Sequence, residues 1–192
     1  MATGWFVTHP EVAIDPAVAV PDWGLSEVGR RRAALLAARP WAPGLVAVFS
    51  SAERKARETA APLAARLGLP VLVREALGEN DRSATGYLPG AEFEATADRF
   101  FARPEESIRG WERAVDAQAR IAAAVAAALA EAPPGDLAII AHGAVGALLR
   151  CRLAGLPISR AEDQPPGGGG HCFAFDRSGL RLLTPWRRIE EA

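Results

Sequence analysis

Cysteine is scarce: Cys151 and Cys172 are the only two in 192 residues. Neither lies in a CxxC or Cys/His spacing, which excludes a disulfide framework and a cysteine zinc site. Apolar runs approaching the ~20 residues of a membrane span are also missing. Met1 to Val7 has no basic region leading into a long apolar one, so a soluble, cytoplasmic protein without a membrane partner is expected. Excess charge of either sign is absent as well. The 22 basic and 23 acidic residues leave a formal net charge of −1, so there is no global field for nucleic acid and any anion site is local. Lysine occurs once, at Lys55. No Walker loop, dinucleotide fingerprint or G-x-S-x-G elbow is found, so no cofactor or metal is expected, and a serine hydrolase built on Ser50 or Ser51 has little support.

What is present is a hydrophobic content of 49%, enough core for one domain over residues 1–192. Short apolar runs alternate with longer stretches of helical period, the pattern of an α/β fold. A three-layer α/β/α arrangement is expected, with helices on both faces of a mostly parallel sheet. Strands are read at Gly4 to Thr8, Leu45 to Phe49, Val71 to Val73 and Leu137 to Ala141. A terminal hairpin is read from Cys172 to Phe175 and Leu180 to Leu183 around Ser178-Gly179. Helices are expected from the Ser26 cap to Ala38, from Ala52 to Leu67, from Glu92 to Phe101, from Ser107 to Glu131 and from Ala144 to Leu153. Between Leu77 and Gly90 the text is polar and broken by glycine and proline, an excursion of the kind that carries function. Trp23, Trp41, Trp111 and Trp186 are read as packing residues, and His171 as a surface histidine.

Two of the three histidines end predicted strands: His9 after the first and His142 after the one from Leu137. Ligands of open α/β sheets bind outside the carboxyl ends of strands. Ser50 and Ser51 end the second strand on that edge, and Arg54 opens the next helix, where a guanidinium beside helix-terminal amides suits a phosphate.

Several ordered segments resemble the histidine phosphatase (phosphoglycerate mutase-like) superfamily. Phe6-Val7-Thr8-His9-Pro10-Glu11 resembles its RHG-E strand end, and Leu25-Ser26-Glu27-Val28-Gly29 its LSE-x-G helix opening. Phe49-Ser50-Ser51-Ala52-Glu53-Arg54 through Thr59-Ala60 is similar to SSP-x-x-R-x-x-x-TA, and Ile139-Ile140-Ala141-His142-Gly143 to the strand end bearing its second histidine. The resemblance implies a metal-independent phosphatase acting on a small or peptide-borne phosphomonoester. It implies His9 as the phosphorylated nucleophile, His142 and Arg54 as phosphate holders, and a carboxylate of the excursion as proton donor. Glu79 in Leu77-Gly78-Glu79 fits that last role, with Asp81 competing.

One departure bears on activity. Thr8 and Pro10 flank His9 where the family has arginine and glycine, and losing one charge-assisted donor costs on the order of 3 kcal/mol of transition-state stabilisation. Arg82, and after it Arg57, are the candidates to replace the lost arginine. The alternative is a weak or inactive family member that binds a phosphorylated ligand or a protein partner. A mutase is disfavoured by the short excursions. Substrate identity and oligomeric state are left open.

Overall fold

The computed structural model describes residues 2–192. Six strands form one sheet in the order β3-β2-β4-β1-β5-β6: β1 (Thr3–Thr8), β2 (Leu45–Ser50), β3 (Val71–Val73), β4 (Asp136–Ala141), β5 (His171–Asp176) and β6 (Arg187–Arg188). The first four are mutually parallel, and β5 runs antiparallel to β1 and β6. The expected fold class is therefore the observed one.

The described residues also form five α-helices: α1 (Glu27–Leu35), α2 (Arg54–Leu67), α3 (Gly90–Ala102), α4 (Ala114–Glu131) and α5 (Gly143–Ala154). Alternation along β4 explains the layering. Leu137, Ile139 and Ala141 pack with Ile121, Val125 and Leu149 beneath α4 and α5. Ala138 and Ile140 pack on the other face with Ala56, Ala60 and Leu63 of α2. Successive strand side chains point to opposite faces, so a strand covered by helices on both sides is apolar throughout. All five of those β4 side chains are 0% exposed. Helix starts and stops follow local chemistry: the Ser26 hydroxyl accepts from Gly29 N at 3.0 Å to cap α1, and Gly68 ends α2 at φ 66°. No helix is long and apolar enough to cross a membrane among the described residues.

Three expectations are corrected. The helix expected from Ser107 begins only at Ala114, because Arg109 and Gly110 turn left-handed at φ 55° and 83°. The terminal hairpin reduces to one bridge, Phe175 to Leu182. Leu180 turns to φ 47° there, so the ladder does not extend and β6 pairs with β5 instead. His171 is 1% exposed and is not a surface residue.

Candidate active site

Because β1, β2 and β4 are parallel neighbours, Thr8, Ser50 and Ala141 end on one edge of the sheet. Backbone hydrogen bonds continue just past it, from His9 N to Ala141 O at 3.2 Å and from Ser51 N to Ile140 O at 3.0 Å. This register sets the His9 and His142 rings edge to face, with centroids 5.2 Å apart. His9 Nδ1 donates to Pro10 O at 2.9 Å. A carbonyl can only accept, so the proton sits on Nδ1 and Nε2 keeps its lone pair. Gly170 N donates to His9 O at 2.9 Å. A Cβ at Gly169 would lie 2.3 Å from the same oxygen, so the loop needs glycine for this approach.

Burial pushes the His9 imidazole down to about 4, against the hydrogen bond to Pro10 and helped by the nearby Lys55 charge. Burial also drives His142 well below the usual histidine range, with Glu53 opposing. Both rings are neutral at physiological pH.

Sequence reasoning missed the charges that surround these rings. Lys55, 3% exposed, pairs with Glu53 and donates to Val20 O at 2.8 Å. Glu53 Oε1 faces His142 Nε2 at 3.2 Å and accepts from Glu79 N at 2.9 Å. Burial works against ionisation of Glu53, yet the Lys55 ammonium, with hydrogen bonds from Lys55 and the Glu79 amide, holds its carboxyl below the usual range. Since His142 is held neutral, Lys55 is the standing charge opposite Glu53.

Arg54 is not in the pocket. Its side chain is 62% exposed and binds Glu58 Oε1 at 2.7 Å on the outer side of α2. Arg57 is exposed too. One residue along a helix is a rotation of about 100°, which carries position 54 outward and Lys55 inward. In the pattern SSP-x-x-R-x-x-x-TA the basic residue stands four before the threonine. Counting back from Thr59 reaches Lys55, a signal the sequence did hold. Exposed ion pairs contribute about 0–1 kcal/mol, so Arg54→Ala is expected to leave phosphate affinity within about twofold of wild type. A titration with inorganic phosphate checks this.

Glu79 lies beside His142. Its carboxyl accepts from Val145 N at 3.1 Å and Ala144 N at 3.3 Å, at the N-terminus of α5. Asp81, the competitor, is exposed and accepts from Ser83 N at 2.8 Å. Arg120 fixes the Glu79 segment by donating to Ala76 O, Gly78 O and Glu79 O at 2.9, 2.9 and 3.1 Å. Arg82 lines the same cavity of about 490 Å³ as Glu53 and Glu79. Its guanidinium lies over Phe93 and Trp111 at 5.1 and 5.7 Å and has no carboxylate partner among the described residues. Thr8 is fully buried. Its hydroxyl donates to Gln164 Oε1 at 2.6 Å and accepts from His171 N at 3.0 Å, so it ties β1 to β5.

Ser51 Oγ lies 2.7 Å from His142 Nε2, a nucleophile-to-base distance. A triad needs a third group orienting the other ring nitrogen. His142 Nδ1 has no partner among the described residues, so the pair is not a serine hydrolase triad.

The parallel strand ends thus carry two neutral histidines, with buried Lys55 of α2 and the Glu79 carboxyl at the N-terminus of α5 beside them. Residues 5–174 match the model of the histidine phosphatase superfamily (branch 1), and the chain belongs to that superfamily. By class it is a phosphoric monoester hydrolase. Among solved structures, it is similar to a mycobacterial glucosyl-3-phosphoglycerate phosphatase complexed with inorganic phosphate, at 24% identity and TM-score 0.81 over 100% of each chain. The native form of that enzyme aligns at 25% identity and TM-score 0.78, again over 100% of each chain. Bacillus stearothermophilus YhfR aligns at 22% identity and TM-score 0.78, over 99% of this chain and 97% of its own. No curated protein matches the sequence significantly.

Proposed function

We propose that this chain hydrolyses a small phosphomonoester through a phosphohistidine formed on His9. The observation that carries the reading is the state of His9: its pKa near 4 and its hydrogen bond to Pro10 O leave a neutral ring with a bare Nε2 at the strand edge. Nε2 attacks phosphorus as the ester P–O bond breaks, and the Glu79 carboxyl protonates the departing oxygen. Water then attacks the phosphohistidine, Glu79 takes its proton, and His9 and inorganic phosphate are released. Lys55, Arg82 and His142 are the groups available to hold the phosphoryl oxygens, in place of the Arg54 expected from sequence. Phosphate chemistry on these residues calls for no metal, so turnover is expected to persist in EDTA. The substrate in the mycobacterial neighbour's name does not suit this cavity. Its phosphoglycerate part bears a carboxylate, whereas Glu53, Glu75, Glu79 and Asp81 line this cavity.

Acid–alkali analysis of quenched enzyme tests the covalent step. After mixing with labelled phosphomonoester, the wild type is expected to carry an alkali-stable, acid-labile phosphoryl group that His9→Ala does not carry. Turnover without such a species would sink the covalent route. One observation favours a second reading, a family member that binds a phosphoryl ligand without turnover. Glu53 places a carboxylate against Lys55 and His142, two of the groups a phosphate would use. Vanadate binding by a wild type that releases no phosphate would select it.

A further inference from the structure

If Glu79 protonates the leaving oxygen, the alcohol part of the ester lies on the Glu79 side of the phosphorus, in the cavity lined by Glu79, Asn80 and Arg82. That cavity meets a second one of about 250 Å³, and the two share Val20, Arg82 and Gly86. The second is lined by Ile14, Trp23, Tyr87, Leu88 and Phe93. Trp23 and Tyr87 meet edge to face with centroids 5.5 Å apart, and Ile14 and Tyr87 remain 57% and 37% exposed. Large apolar side chains left exposed together mark a binding surface. Arg82, lying over Phe93 at 5.1 Å, stands at the boundary, between the acidic cavity and the apolar one.

We propose that this apolar cavity is a subsite for an uncharged alkyl or aryl group on the alcohol side of the phosphate ester, an inference that rests on the phosphatase reading above. Three features select that chemistry. The four carboxylates of the first cavity repel a leaving group that carries a carboxylate or a second phosphate, and Arg82 is the one cation among its lining residues. Asn80, 3% exposed, lines the same cavity, and its Nδ2 is buried without a hydrogen-bond partner among the described residues, an unsatisfied donor beside the place of the leaving group. Beyond Arg82 the walls are aromatic and aliphatic, and burying each methylene of a chain there is favourable. The substrate class is thus a monoester of an apolar alcohol.

A homologous series of ethyl, butyl and hexyl phosphate tests the subsite, because the leaving groups differ in length and hardly at all in basicity. The expected result is a kcat/KM that rises by about tenfold or more from ethyl to hexyl and exceeds that for 3-phosphoglycerate. In Tyr87→Ser, and separately in Ile14→Ser, the hexyl-to-ethyl ratio is expected to fall toward one. Both positions are solvent-facing, and circular dichroism verifies the fold. A flat series, or a preference for 3-phosphoglycerate, overturns the subsite while leaving the phosphatase reading in place. Phosphate release from none of the esters overturns the phosphatase reading, and the subsite with it.

Discussion

Glu53→Gln is expected to bind inorganic phosphate and vanadate about tenfold or more tightly than wild type, while melting well below it in phosphate-free buffer. The two effects share a cause. Lys55 is 3% exposed and its charge is balanced by Glu53. Removing one partner of a buried ion pair costs about 3 kcal/mol, roughly 10 °C in Tm for a chain of this size. A phosphate dianion restores the missing negative charge, so added phosphate should return most of that Tm. In the wild type, the Glu53 carboxylate already accepts from Lys55 and the Glu79 amide and faces His142 at 3.2 Å. An arriving phosphate meets a like charge there, a repulsion of a few kcal/mol at short range in a partly buried site. Isothermal titration with phosphate and thermal melts across phosphate concentrations read both effects. Unchanged or weakened affinity in Glu53→Gln would identify Glu53 as a partner that only holds Lys55 and His142 in place.

The strand ends were legible in the sequence because a strand buried on both faces must be apolar throughout, and Leu137 to Ala141 has no other comfortable reading. That run, with the shorter ones at β1 and β2, places His9, His142 and Ser51 at one edge from the sequence alone. The helical positions were less legible. Arg54 and Lys55 differ by a single step, and only the inward side of α2 distinguishes a buried ammonium from a solvated guanidinium. Glu53 precedes the helix, where an acidic residue ordinarily means favourable contact with the helix dipole, so nothing in its place in the sequence marks it as a pocket group. Arg120, with Gly110-Trp111-Glu112, resembles a family segment that packs near the active site, but its contacts with three carbonyls of residues about 40 positions away have no local signature. Thr8 was legible as a departure but not as a solution: its hydroxyl bridges Gln164 and His171, residues more than 150 positions away that only the tertiary fold brings to it.

Glu79→Gln is expected to lower kcat on an alkyl phosphate by about 10² to 10⁴, the usual contribution of a positioned acid–base group. The amide keeps only one of the two oxygens that accept separately from Val145 N and Ala144 N, and it can neither give nor take the proton. The loss should depend on the leaving group. With 4-nitrophenyl phosphate the departing oxygen needs little protonation, so His9 is phosphorylated nearly as fast as in wild type. Hydrolysis of the phosphohistidine still needs a base to activate water, and rapid mixing should therefore reveal a burst of nitrophenol followed by slow turnover. Asp81→Asn should keep most of the activity, since that carboxyl is turned to Ser83 N. Acid does not confuse the comparison until low pH. His9 titrates near 4, so the nucleophile stays unprotonated down to about pH 5. The same shift has a sign for stability: a histidine whose folded pKa lies below 6.5 excludes a proton that the unfolded chain accepts, so its contribution is complete above pH 6.5 and declines as pH falls toward 4. A loss of rate in Glu79→Gln equal for alkyl and nitrophenyl esters, with no burst, would move the proton donor to another residue.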